Sequence, residues 1–296
     1  MAIQTRLDQA PVAGPGYLLR TLPALVGRDA RLWLSFRVSL VMDLLSMAAQ
    51  TSVFFFLGLA MGAGHRQGWQ AAYAAFLAVG LVLNAVLEAS LTAPYQSLAL
   101  TYWQQRLESL LLSPCPVSLV VIADVGWAYV RAAINAAILA TVGFLFGAHV
   151  SAAGPDLLLS VLVVALAAVA VLGFGLMSAA MFTLINAKGW NDPVAWVVGV
   201  LQGLVTGAYF PVSELPGALH VLALFLPQTY AIDAVRRLLL PGTDLPPLLA
   251  QRVMSPVQSD LVVLLASAVA LPLLGWLLFG LGLRKAQVDG GLSRWA

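Results

Sequence analysis

Charge is what this chain has least of: Asp, Glu, Lys and Arg make up 9% of its 296 residues, against about 25% in an ordinary soluble domain. Hydrophobic residues make up 61%, and the mean hydropathy is +0.91. No soluble core hides that much apolar surface, so a water-soluble protein is excluded. The basic residues are scattered and the net charge is only +2, which leaves no clustered stripe for a nucleic acid. Cysteine is nearly absent, and Cys115 alone can form neither an intramolecular disulfide nor a thiol metal site. Lys188 and Lys285 are the only lysines. They follow Ala187 and Arg284 rather than a glycine-rich turn, so the chain has no Walker-type phosphate cradle. No His-Glu-x-x-His or Gly-x-Ser-x-Gly pattern occurs. His65, His149 and His220 fall in three separate segments, where only tertiary convergence would make them metal ligands. The chain is therefore expected to be no enzyme and to carry no cofactor or metal of its own. Residues 1–16 are polar and rich in Pro and Gly, unlike a cleavable signal peptide.

What is abundant is the long apolar run. Six of them, at residues 40–61, 71–91, 117–148, 157–185, 194–211 and 261–283, approach or exceed the ~20 residues that cross a hydrocarbon core. The expected fold is an all-α polytopic membrane protein with six transmembrane helices. Ahead of them, residues 17–37 mix Leu18, Leu22, Leu25, Leu32 and Trp33 with Arg20, Arg28, Asp29, Arg31 and Arg37, the composition of a helix lying in the membrane interface. The chain thus divides into a tail and interfacial helix at 1–37 and a six-helix domain at 38–296.

Basic residues give the orientation. With the N-terminus inside, Arg6, Arg20, Arg28, Arg31, Arg37, Arg106, Lys188, Arg284, Lys285 and Arg294 are cytoplasmic, and only Arg66, Arg236, Arg237 and Arg252 are external. Both termini are then cytoplasmic. Two connections are too long for plain turns. The inside segment 92–116 reads as an elbow with a short helix at 102–112, closed by Ser113-Pro114-Cys115-Pro116, because proline lacks a backbone donor and resists helical continuation. The outside segment 212–260 holds two short apolar pieces, 218–226 and 230–240, bounded by Pro216, Pro227 and Pro241; they read as re-entrant or interfacial.

Polar residues at membrane depth are costly and mark functional candidates. They are Asp43, Asn84, Glu88, Asp124, Arg131, Asn135 and Gln202. Asn84, Glu88, Asp124, Arg131 and Gln202 form the candidate transport path. Asp43 and Glu88 stand at the ends of their spans, where headgroup water is the alternative to a cavity. Asp124 and Arg131 are about two helical turns apart, too far for a direct bond, so each needs a partner on another helix or a cavity. Gly199, Gly203 and Gly207 recur every fourth residue and make a groove suited to close helix packing, within the chain or between two copies.

Thr206-Gly207-Ala208-Tyr209-Phe210-Pro211, the Leu215-Pro216 turn, and Leu226-Pro227-Gln228-Thr229-Tyr230 ahead of a helix together resemble the membrane subunits of ABC-2 type exporters, including daunorubicin-resistance-like and polysaccharide-export permeases. Arg106-Leu107-Glu108-Ser109-Leu110-Leu111 is similar to the acidic stretch of that family, with Gln105 and Arg106 in place of its usual Gly-Thr and Cys115 lengthening the proline turn that follows. The resemblance implies a coupling helix at about 98–113, in which Arg106, Leu107, Glu108, Leu110 and Leu111 meet a separate ATPase. It also implies an external re-entrant gate at about 212–241, involving Phe210, Pro211, Pro216, Pro227 and Tyr230.

The partners it implies are two copies of that ATPase, which would bind ATP and Mg, and a second permease, identical or homologous. The setting would be a bacterial plasma membrane, which agrees with the excess of Arg over Lys. The cargo would be a hydrophobic or amphipathic molecule, drug-like or lipid-like, exported by alternating access. The alternative is a proton-coupled secondary carrier using Asp43, Glu88 and Asp124; inverted repeats would support it, and none is convincing. A non-transporting scaffold or an intramembrane enzyme has the least footing, given the missing motifs.

Overall fold

The computed structural model describes residues 15–62, 69–104, 117–145, 154–184, 193–209, 211–212, 215–240 and 257–288. The regular elements among them are α-helices: α1 (Pro15–Ser35), α2 (Arg37–Gly62), α3 (Trp69–Trp103), α4 (Val117–Leu145), α5 (Gly154–Leu184), α6 (Pro193–Val205), α7 (Gly217–Leu224), α8 (Pro227–Leu239) and α9 (Val257–Val288). Among the described residues, α3 from Ala72, α4, α5 and α9 as far as Lys285 are long and apolar enough to cross a membrane. The bent pair α7–α8, folded through 86°, is a fifth candidate. Pro193 and Pro227 open their helices, at positions where the missing N–H has no intrahelical partner to lose.

The apolar run at 71–91 predicts a span followed by a loop from Thr92. The helix instead continues unbroken to Trp103, with Pro94 inside it, and its 35 residues extend for about 52 Å. Residues 98–103 are thus the last turns of α3 rather than the start of a separate coupling helix. They stay helical because Tyr95, Leu98, Ala99 and Tyr102 are buried with Val117, Val121 and Phe182 from α4 and α5. Residues 105–116, and with them the rest of the expected elbow, lie outside the described residues. The run at 194–211 also falls short of a span: α6 stops at Val205 after 13 residues, about 20 Å of helix. Gly207 adopts a φ of 84°, left-handed backbone that an ordinary helix cannot contain and that glycine tolerates without steric cost.

Packing centres on α5, which touches α3, α6, α8 and α9, with α9 its most extensive neighbour. Lipid tails are as apolar as leucine, so close van der Waals contact, rather than escape from water, holds such helices together. Two prolines mark the places. Pro94 frees the Ser90 carbonyl from its helical bond. Gly175 of α5 comes so close here that a Cβ would meet that carbonyl, and would lie 2.9 Å from the Leu91 oxygen. Pro272 of α9 is met by Gly173, whose Cβ would fall 2.6 Å from both the Leu271 oxygen and the Pro272 nitrogen. Gly275 reciprocates, with only 2.5 Å between its Cβ position and the Gly173 oxygen. A further bridge is Tyr129 of α4, whose hydroxyl is 2.9 Å from Ser90 Oγ and donates to the Ala168 carbonyl at 3.5 Å.

Away from this seam, the core forms two clusters. One gathers the starts of α3 and α9 and the first half of α5 with α6 and α8; the other joins the end of α3 to the start of α4, the end of α5 and Phe279 of α9. The expected glycine groove is not part of either. A Cβ at Gly199 or Gly203 would meet nothing within 4 Å, and Gly207 lies beyond the helix.

The two kinds of glycine separate experimentally. Gly175→Val, which must displace backbone at the Pro94 site, is expected to cost at least about 1–3 kcal/mol through overpacking. Gly203→Val should leave the melting temperature of the monomer unchanged. Thermal unfolding of both variants in one detergent checks the contrast, and equal behaviour would refute it.

Candidate functional site

The structure concentrates buried polar chemistry where α6 breaks and the α7–α8 hairpin folds back. Buried backbone that leaves a helix, as at Gly207 and Ala208, needs partners from the protein. Here they come from α3 and α8. Arg236 donates from Nη1 to the Gly207 carbonyl at 2.5 Å, and from Nη2 to the carbonyls of Ala208 at 2.9 Å and Phe76 at 3.0 Å. Its guanidinium lies 3.4 Å from the centroid of the Phe76 ring, a geometry in which the negative ring face favours the cation. Tyr73, stacked on Phe76, donates its hydroxyl to the Tyr209 carbonyl at 3.1 Å. Glycine at position 80 is required by this arrangement. A Cβ would collide with the Ala208 oxygen and stand 2.6 Å from Arg236 Nη2.

The hairpin is closed by its own side chains. Thr229 donates to the Ala223 carbonyl at 2.7 Å, and Tyr230 to the Leu224 carbonyl at 2.8 Å. These are last-turn carbonyls of α7, which a helix end leaves without intrahelical donors. The Pro227-Gln228-Thr229-Tyr230 sequence is therefore an elbow lock: proline starts α8, and the two hydroxyls cap the helix before it. Residues 227–236 are buried throughout despite their polar content. Arg237, one residue on, forms an ion pair with Asp233 of its own helix and another, at 3.5 Å, with Asp260 in the first turn of α9. Asp260 is fully buried.

The expected path residues do not form one site. Gln202 and Asn84 meet: Gln202 Nε2 donates to Asn84 Oδ1 at 2.7 Å, and Gln202 Oε1 has no hydrogen-bond partner among the described residues. Glu88 is exposed on α3, one turn beyond Asn84. Asp124 belongs to the other end of the bundle. It accepts from Ser97 Oγ at 2.5 Å and lies 3.7 Å from Arg28 of α1. Trp33 packs edge-on against Trp127 there, with 5.8 Å between ring centroids, so α1 is docked on α4. Arg131 is exposed on α4, apart from Asp124. Of the expected gate residues, Pro227 and Tyr230 are buried, Pro211 is half-buried and Pro216 exposed. Phe210, the side chain of Asp43, and Arg106, Leu107, Glu108, Leu110 and Leu111 lie outside the described residues.

Sequence reasoning places Arg236 and Arg237 among external loop charges, whereas both are built into the hairpin. The available signal was amphipathic: Thr229, Ile232 and Arg236 recur at helical spacing on one face of α8, and Tyr230, Asp233 and Arg237 on the next. A separate apolar groove of about 500 Å³ runs between α4, α5 and α9, lined by Ile122, Leu172, Leu176, Leu273 and Trp276, with Ser118 contributing a polar group.

Removing Arg237 would leave Asp260 as a buried carboxylate without its cation, which costs about 3–5 kcal/mol when a buried pair is broken from one side. Arg237→Met should therefore lower the unfolding temperature sharply. The double change Arg237→Met with Asp260→Leu should recover the part of the loss that comes from Asp260, while the part from the broken Asp233 pair remains. Melting curves of the two variants against the parent test the pairing, and a double variant no better than the single one would refute it.

Three relatives are similar to this chain in sequence. Nodulation protein J of Rhizobium leguminosarum bv. trifolii is 27% identical over 215 residues, covering 71% of this chain and 79% of its own length. Nodulation protein J of Sinorhizobium fredii is 27% identical over 198 residues, covering 64% and 71% respectively. That of Rhizobium meliloti is 25% identical over 220 residues, covering 71% and 79%. The ABC-2 type transporter pattern matches residues 24–240, from the second half of α1 through the break, the elbow lock and Arg236. This is a membrane protein, and it belongs to the ABC-2 type transporter family.

Proposed function

We propose that this chain is the permease subunit of an ATP-driven exporter, with ATP hydrolysed by two copies of a separate ATPase. The observation that carries the reading is the family match over residues 24–240, which runs through the broken α6 and the locked hairpin. In this reading α2, α6 with its break, and the four long apolar helices provide six passages. α1 lies in the interface on the cytoplasmic side, and both termini face the cytoplasm. The exposed Leu32 and Leu34 of α1 and Phe36 just after it support the placement of α1, since they offer lipid apolar side chains beside Arg28 and Arg31.

The hairpin is the external gate, formed around Phe210, Pro211, Pro216, Pro227 and Tyr230. Gln202, with its free acceptor, and Asn84 stand closest to that gate, while Glu88, Asp124 and Arg131 complete the candidate path. Cargo is hydrophobic or amphipathic, drug-like or lipid-like. The apolar groove between α4, α5 and α9 supports that class, because it offers a chain-like molecule contact along almost its whole lining. A second permease, identical or homologous, completes the pore, and the open face at Gly199 and Gly203 is a place for it. The proton-carrier alternative needs carboxylates close enough to relay a proton from one to the next. Glu88, however, is nine residues, about 13 Å, along α3 from Ser97, the residue that binds Asp124.

Coupling falls to Arg106, Leu107, Glu108, Leu110 and Leu111. An amphipathic segment of this composition suits a groove on a soluble partner, with leucines as anchors and a carboxylate fixing orientation. The purified chain alone should show only background ATP hydrolysis. Co-expression with an ATP-binding-cassette ATPase encoded beside it should yield a stable complex that hydrolyses ATP. Glu108→Ala should leave insertion intact while weakening pull-down of the ATPase or uncoupling its hydrolysis from cargo. Hydrolysis by the isolated chain would overturn the division of labour, and wild-type pull-down and coupling would remove Glu108 from the interface. Cysteine labelling from either side of the membrane, near Arg106 and near Pro216, tests the orientation; external labelling near Arg106 would invert it.

A further inference from the structure

Arg236 bonds the break after α6, α3 and the hairpin at once. Two of its three hydrogen bonds go to Gly207 and Ala208 in the break, one goes to Phe76 in α3, and its own backbone belongs to α8. The other links at this end run between the same parts. Tyr73 holds the Tyr209 carbonyl, and Gln202 holds Asn84. The hairpin cannot flex at its elbow without losing the Thr229 and Tyr230 bonds. Gly80 leaves α3 without a side chain where the Ala208 carbonyl rests, so the break sits on backbone with no slack.

We infer that Arg236 makes the break, the hairpin and the first half of α3 one mechanical unit, so that the outer gate moves as a body against α5 and α9 rather than by bending within itself. The seam on the far side of the hairpin is of a different kind. Across it α8 packs apolar residues such as Ile232 and Val235 in one cluster with Val163 and Val171 of α5 and Leu264 of α9, and the 3.5 Å pair of Arg237 with Asp260 crosses it; non-directional packing and a long ion pair tolerate sliding better than the short, directional bonds of Arg236. A planar guanidinium is needed for this role. Its fork reaches carbonyls on two elements simultaneously, whereas a lysine ammonium is a single point charge. Arg236 is thus a positioning residue for the gate. The inference rests on the permease reading only for what drives the motion; the unit itself exists without it.

Spin-label distance measurements in nanodiscs test this, in a Cys115→Ser background with labelled protomers diluted by unlabelled ones. One pair of labels, at Trp196 and Val221, reads α6 against the hairpin. A second, at Val221 and Leu158, reads the hairpin against α5, and a third, at Val130 and Val262, reports on the rest of the bundle; all these positions are exposed. The wild-type Trp196–Val221 distribution should be a single narrow peak. Arg236→Gln should lose that peak while Val130–Val262 stays narrow, which a general loss of stability would not do. Should Arg236→Gln fail to fold, Arg236→Lys keeps the charge and stem, and should broaden the same pair alone. An unchanged Trp196–Val221 peak in the variant that folds overturns the inference, as does equal broadening of the third pair.

With the ATPase partner and ATP, the Val221–Leu158 distance should shift and Trp196–Val221 should not. A shift in the latter overturns the single unit while leaving the permease reading intact. If ATP moves neither pair, that counts against the permease reading, and the Arg236 variants then decide the inference by themselves.

Discussion

A peptide carbonyl that leaves a helix inside a hydrocarbon layer must find a donor within the protein, and this constraint shapes one whole end of the molecule. α6 stops after Val205, and the carbonyls of Gly207, Ala208 and Tyr209 are met by Arg236 and Tyr73. Other features follow from satisfying those groups. Position 80 has to be glycine for the carbonyl and guanidinium to fit, and Phe76 supplies both a ring face and a carbonyl to the same cation. α8 has to enter the protein far enough to deliver Arg236, which explains why so polar a helix is buried along residues 227–236.

The rest of the bundle answers a different constraint. Apolar side chains gain little by leaving lipid for one another, so helices that stay together do so by fitting closely. α5 supplies the fit with glycines set opposite prolines, Gly175 at Pro94 and Gly173 at Pro272. A proline leaves a carbonyl without its helical partner and a local irregularity in the groove; a glycine lets the neighbouring backbone come near enough to fill it. The same two prolines that might have ended α3 and α9 therefore mark their tightest contacts with α5.

The two ends of the bundle use charge differently. Around the hairpin, arginines are buried against carbonyls and carboxylates and serve internal geometry. At the other end, Arg28 of α1 is partly exposed and reaches Asp124 across a looser 3.7 Å gap. That contact, together with the Trp33–Trp127 packing, attaches α1 to α4 beside the segment expected to meet the ATPase. In the proposed permease reading both ends have a reason to exist, since energy supplied on one side of the membrane would have to alter the other.

Much of the architecture was legible in the residues alone. Scarce charge and long apolar runs determined an all-helical membrane protein, the mixture of Leu and Arg at 17–37 marked α1, and Pro216 and Pro227 delimited two helices too short to span. Those are local properties, decided by hydropathy and by the backbone limits of proline. Tertiary structure decided the rest. Thr92 opens no loop, because the turns beyond it bury Tyr95, Leu98 and Tyr102 against other helices. Residues 194–211 make no unbroken helix, because Gly207 turns left-handed where Arg236 donates to the freed carbonyls. The close-packing glycines are 173, 175 and 275, on other helices than the regular series at 199, 203 and 207. A glycine or an arginine in an apolar sequence looks the same whether it faces lipid, water or a neighbouring backbone; which of these it meets depends on residues up to 160 positions away, and only the folded chain brings them together.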